Sequence, residues 1–187
     1  MKYAQVVPFE VCNGKEVGTS LFVQGCSMHC FNCFNSSAWD FNGGKKWDEE
    51  TKQRFFDIVS KPYIKRISFI GGEPLAKQNT SEVLSLINTI RENHSDKKIW
   101  LYSGYKLEQI IYPLKLDDFD PKRDAWSEQR RVLDQRKEIV RLCDVLVDGR
   151  YVDELKDITL PFRGSSNQRI IDIKKSIASN EVVLYNI

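Results

Sequence analysis

The chain has 187 residues, 41% hydrophobic and 29% charged, an ordinary soluble composition with enough apolar material for one cored domain. Its 28 basic and 26 acidic residues leave a net charge of +2, so no strong basic field recruits nucleic acid in bulk. No apolar stretch approaches the ~20 residues that cross a bilayer, and Met1–Pro8 lacks a signal-peptide core before the first acidic residue, Glu10. A cytoplasmic protein with no membrane contact is the expectation.

In chain order, the first strand signal is Ser20–Gln24, followed at once by Cys26, Cys30 and Cys33. Asp48 is placed to cap a helix through Ser60, with Glu49 and Glu50 suiting its first turn and Phe55, Ile58 and Val59 on one face. Ile64–Ile70 is rich in β-branched and aromatic residues and ends at Gly71-Gly72-Glu73-Pro74. Val83, Leu86, Ile87 and Ile90 follow helical spacing between Ser81 and about Asn93. Lys98–Tyr102 predicts a third strand, ending at Ser103-Gly104. Tyr112 to Pro121, with Asp117, Asp118 and Asp120, reads as a surface excursion. A helix over Ala125–Leu142 places Trp126, Leu133 and Val140 in register with Val132 and Ile139 beside them. Its Arg130, Arg131, Arg136, Lys137 and Arg141 alternate with Glu128, Asp134 and Glu138, the pattern of a solvated face rather than a nucleic-acid stripe. Asp144–Val147 is the fourth strand, ending at Asp148-Gly149.

Alternating strands and helices favour an α/β fold with a mostly parallel sheet. A complete eight-stranded α/β barrel takes ~250 residues, so this chain can supply only a partial, incomplete TIM-type β/α barrel. In barrels and open sheets alike, chemistry gathers at the carboxyl ends of the strands. The cysteines, the Gly-Gly-Glu-Pro turn, Ser103-Gly104 and Asp148-Gly149 all follow strands, so the four endings are expected to meet on one rim.

Five cysteines are an odd number for a disulfide framework, and three lie within eight positions. That crowding favours metal or redox chemistry. Cys143 opens an apolar run and reads as a small buried residue, while Cys12 stands alone. A structural zinc site wants four ligands, which His29, Cys12 or Cys143 would complete. Yet the chain has no second Cys-x-x-Cys or His-x-x-x-His pair. The thiolate-rich alternative is an iron–sulfur cluster, and three cysteines on a [4Fe–4S] cluster would leave one iron open to an exogenous molecule.

Cys-x-x-x-Cys-x-x-Cys after the first strand, Phe34 beside it and Gly-Gly-Glu-Pro after the second strand resemble the radical S-adenosylmethionine superfamily. Thr19–Cys26, Gly71–Leu75, Ile99–Tyr105, Asp144–Gly149 and Arg163–Gln168 narrow the resemblance to the activating proteins of anaerobic ribonucleoside-triphosphate reductase. These motifs run in family order over about residues 10–172 of a single 1–187 domain; the longer stretch 112–142 and the tail 174–187 lie outside the resemblance.

The resemblance implies a [4Fe–4S] cluster on Cys26, Cys30 and Cys33, with S-adenosylmethionine on the open iron. It further implies a 5′-deoxyadenosyl radical that takes hydrogen from a backbone glycine of the reductase large subunit, and an electron donor such as a flavodoxin-type protein. Cofactor contacts would come from Asn32, Cys33 and Phe34 at the adenine, from Gly71, Gly72 and Glu73 at the methionine end, and from Ser103 and Asp148 at the strand ends. For the Gly-Gly-Glu-Pro stretch the plain alternative is a strand-to-helix turn; for Ser103 and Asp148 it is ordinary turn residues. Arg163–Gln168 is full of turn formers, and its match to a family motif adds docking to the reductase as a second reading. His29 carries no assigned role, and Trp39, Trp47 and Trp100 are read as core. An activase for another glycyl-radical enzyme, a radical enzyme acting on a small molecule, and a non-catalytic zinc-binding module are the competing functions.

Overall fold

The computed structural model describes residues 1–111 and 124–187. The surface excursion expected over Tyr112–Pro121 lies outside them, and so does the side chain of Trp126. A seven-stranded sheet organises the chain: β1 (Lys2–Glu10), β2 (Gly18–Val23), β3 (Lys45–Lys46), β4 (Arg66–Gly71), β5 (Lys98–Ser103), β6 (Val145–Asp148) and β7 (Arg169–Asp172). The strand order is β3-β1-β2-β4-β5-β6-β7. The four strands foreseen from sequence are β2, β4, β5 and β6, and they run parallel to one another at the centre. Antiparallel pairings flank them: β1 with β2 and β3 on one side, β7 with β6 on the other. The sheet has two ends, β3 and β7, and does not close on itself.

Among the described residues five α-helices complete the architecture: α1 (Glu49–Val59), α2 (Lys77–Asn93), α3 (Leu107–Ile111), α4 (Asp124–Leu142) and α5 (Ile173–Ser179). The Asp48 carboxylate caps α1 by accepting from Thr51 N at 3.0 Å. α2 starts four residues before the predicted Ser81, directly after the Glu73–Ala76 turn. Strand side chains alternate between two faces. Leu21, Val23, Ile67, Phe69, Leu101 and Leu146 point to one side, where Phe55, Val59, Val83, Leu86, Ile87, Ile90, Ile139 and Val140 bury them under the helices.

The opposite face carries a second, smaller apolar cluster built on Trp100, Val145, Val147 and Ile170. On it Ser20, Ser68, Trp100 and Val145 stand side by side across β2, β4, β5 and β6. Arg66 lies at the start of β4 on this face, fully buried, and its guanidinium meets the Glu10 carboxylate at 2.7 Å. Glu10 also accepts from Ser20 Oγ at 2.7 Å and Asn13 N at 2.8 Å, so the loop after β1 is pinned across the sheet. Phe162 and Tyr185 pack edge-on against Trp100. Tyr185 belongs to the tail left outside the resemblance, which forms α5 and then returns to bridge Leu184 to Ile171.

α4 departs from the face read in the sequence. Val132, Ile139 and Val140 are buried, while Leu133 is only half-buried. Arg136 is not solvated like its neighbours: its Nε donates to Leu75 O at 2.7 Å and its guanidinium lies 4.3 Å from the Tyr105 ring centroid. Arg130 and Arg131 keep the expected surface ion pairs with Asp134 and Glu128.

Candidate active site

Two residues beyond each member of the Ser20–Ser68–Trp100–Val145 row come Phe22, Ile70, Tyr102 and Val147, on the same face. All four line a cavity of about 510 Å³, as do Cys26, Cys30, Cys33, Phe34, Gly71, Gly72, Glu73, Ser103, Gly104 and Gly149. The expected convergence of four strand ends is therefore present. Arg163, Gly164 and Gln168 of the turn-rich segment close the far side.

The cysteine loop is braced from three separate parts of the chain. Gly25 N and Cys26 N donate to Ala38 O and Trp39 O at 2.8 and 3.0 Å, and the His29 ring stacks on Trp39 with 4.7 Å between centroids. His29 is thus a structural element of the loop, and Trp39 is a cavity wall rather than core. From the segment after β6, Arg150 donates to Met28 O, Asp153 accepts from Asn32 Nδ2 at 2.8 Å, and Tyr151 packs on Phe34 at 5.1 Å.

The third brace is the Gly-Gly-Glu-Pro turn. Gly72 N donates to Val23 O and Glu73 N to Gly25 O, both at 2.8 Å. A Cβ on Gly72 would sit 2.5 Å from Gly25 O, and one on Gly71, whose φ is +104°, would sit 2.8 Å from Phe22 Cα. Glycine is needed at both positions because backbone meets backbone. Gly72→Ala should therefore displace the residue that leads into Cys26, lowering both thermal stability and iron loading. Normal iron content and melting in that variant would show that the loop absorbs the clash.

Glu73 is buried at the cavity edge. One carboxylate oxygen accepts from Leu75 N and Ser103 Oγ, each at 2.9 Å, and the other from Gly104 N at 2.8 Å. Burial pushes its pKa up, and these donors only partly offset that. Ser103 is therefore a positioning group for Glu73. Glu73→Gln keeps one acceptor but turns an NH₂ toward a backbone N–H, leaving donors facing each other. The expected cost is about 1–3 kcal/mol of stability, read by chemical denaturation. Stability equal to the unsubstituted protein would show that the carboxylate is not held as described.

Two sequence-predicted residues do not reach the cavity. Asp148 is buried and occupied, accepting from Leu107 N at 2.8 Å and from Arg169 Nε at 2.9 Å. The reason is strand alternation: Val147 takes the cavity-facing position, and Asp148 points the other way, toward α3. Asn32 stands outside too, because its side chain turns to Asp153. Conversely, the sequence reading missed Cys12 and Asn13, which line the cavity from the loop after β1. It also missed Phe22, Ile70, Tyr102 and Val147, although period-two alternation along the predicted strands carried that signal.

Cys26, Cys30 and Cys33 are free thiols, half-buried, and share this one cavity. Burial pushes the Cys26 thiol up, so a bound cation would be needed to hold it as thiolate. Among the described residues no group of three or more His, Cys, Asp or Glu side chains is arranged to hold one metal ion. A mononuclear zinc site needs its donors around a single point. Soft thiolates in this number are a donor set that suits an iron–sulfur cluster.

The family comparisons agree with that chemistry. A family model described as a 4Fe-4S single cluster domain matches residues 12–171. The anaerobic ribonucleoside-triphosphate reductase-activating protein of Escherichia coli K12 is 35% identical over 170 residues, covering 90% of this chain and 96% of that protein. Those of Vibrio cholerae and phage T4 are 33% and 31% identical over 91% of this chain, covering 97% and 93% of their own lengths. Among the described residues no helix is long and apolar enough to cross a membrane. With this identity sustained along nearly its whole length, the chain belongs to the family of anaerobic ribonucleoside-triphosphate reductase-activating proteins.

Proposed function

We propose that Cys26, Cys30 and Cys33 hold a [4Fe–4S] cluster whose fourth iron takes S-adenosylmethionine, and that the chain uses them to install a glycyl radical on the anaerobic reductase. The observation that carries this reading is three free thiols sharing one cavity with the Gly71-Gly72-Glu73 turn at the ends of four parallel strands. Bound there, the cluster and S-adenosylmethionine would supply one-electron reductive cleavage of the sulfonium and, through it, the means to remove a hydrogen atom from a backbone glycine of the large subunit. A reduced flavodoxin-type protein would provide the electron. The open sheet, with helices on one face and the cavity on the other, is consistent with the partial barrel implied by the family resemblance.

Within that reading each residue has a physical task. Glu73, fixed by three donors, offers its remaining lone pairs to the ligand's ammonium group, a charge-assisted contact. Phe34 offers an apolar wall to the adenine. Phe22, Ile70 and Val147 floor the site and keep water from the radical's path.

Mixing this protein anaerobically with the large subunit, S-adenosylmethionine and a reductant should give a glycyl doublet by electron paramagnetic resonance. The doublet should vanish when the radical-bearing glycine of the large subunit becomes alanine. A radical on another glycyl-radical enzyme, with none on this reductase, would overturn the choice of partner. A colourless protein with one zinc would overturn the cofactor.

A further inference from the structure

Beside the cavity, the cysteine loop and the segment after β6 carry large apolar side chains that the fold leaves in solvent. Phe31 is 72% exposed, Phe34 60%, Leu155 43% and Ile158 82%. They come from two segments far apart in sequence, yet they form one surface. The Asn32–Asp153 hydrogen bond, the Phe34–Tyr151 contact and Lys156 Nζ at 5.2 Å over the Phe34 ring join the segments side by side. Phe34 and Ile158 also line the cavity, so the patch runs into the site without a break. Exposed apolar patches of this kind, aromatic and beside a polar cavity, mark protein interaction surfaces.

We infer that Phe31, Phe34, Leu155 and Ile158 form the docking surface for the glycine-bearing segment of the reductase large subunit. The inference rests on the function proposed above and adds the surface to it. A cavity of about 510 Å³ is of small-molecule size and cannot admit a folded domain. The target must therefore enter as a segment, while the surface around it rests on the rim. The rim is half cysteine loop and half the 151–158 segment that braces it, so the docked protein would cover the site from solvent on both sides.

The test uses the double variant Phe31→Ser/Leu155→Ser, neither of whose residues lines the cavity, with Phe9→Ser as a control at an exposed aromatic on β1 outside the rim. In the double variant, iron content and cleavage of S-adenosylmethionine without the reductase should match the unsubstituted protein. Glycyl radical yield at limiting reductase should fall about tenfold or more and recover as the reductase concentration is raised. The control should lose nothing. A yield unchanged at limiting reductase overturns the docking surface while leaving the proposed function intact. If the unsubstituted protein cleaves S-adenosylmethionine but never gives the reductase a radical, the proposed function itself fails. Hydrogen exchange on the unsubstituted protein is independent of any variant's folding. Added reductase should protect residues 31–35 and 151–158, and no protection there overturns the inference.

Discussion

Replacing any one of Cys26, Cys30 or Cys33 by Ala should reduce bound iron to background and abolish formation of 5′-deoxyadenosine. Each thiolate holds a separate iron in the proposed site, so no neighbour can compensate for its loss. Cys143→Ala should leave iron content unchanged, because that thiol is buried among apolar side chains under the helices. Cys12→Ala is the sharper control, since Cys12 is exposed and lines the same cavity. It too should retain iron, measured together with labile sulfide in anaerobic preparations. Equal loss of iron in Cys12→Ala would mean a fourth protein ligand, and the argument for an open iron would fall.

The largest effect on stability is expected from Glu10→Ala. It leaves Arg66, which is fully buried, without its counter-charge, and strips acceptors from Ser20 Oγ and Asn13 N. Breaking a buried pair in this way costs about 3–5 kcal/mol. For a chain of this length that corresponds to a melting temperature lower by on the order of 10 °C. Burial opposes ionisation of Glu10, but hydrogen bonds from Ser20 and Arg66 outweigh it and hold its pKa below the ordinary value of 4.5. A depressed carboxylate stabilises the fold above its unfolded pKa, and that contribution fades as pH falls through the folded value. The gap between the unsubstituted protein and Glu10→Ala should therefore be full at neutral pH and shrink below about 4.5. A gap independent of pH would show that packing, not charge, carries the effect.

What the sequence discloses depends on how much each element relies on its own residues. β2, β4, β5 and β6 were legible because buried parallel strands are near-continuous apolar runs. β1 was not: Pro8 interrupts it, and its side chains are mostly half-exposed. β7 has only four residues, and β3 is two exposed lysines that pair with Lys2 and Tyr3. Such strands exist because a neighbour offers hydrogen bonds, a condition no local pattern records. The same holds in the site. Cys26, Cys30, Cys33 and the glycine turn announce themselves by spacing, whereas Asp148 was misjudged by one step of the pleat. Arg136 looked like one more cation on a charged helix, yet the Leu75 carbonyl and the Tyr105 ring claim it.

The braces on the cysteine loop also set an order of events in the life of the chain. Arg150 reaches back 122 residues to Met28, and Asp153 reaches back 121 to Asn32. A ribosome that has released the three thiols has therefore yet to make the groups that shape their loop, and contacts of such long range form late. In the proposed site, cluster assembly would then wait for a nearly finished polypeptide. In the interval the thiols lack the walls that shelter them, and oxygen reaching them then can prevent the site from ever being loaded.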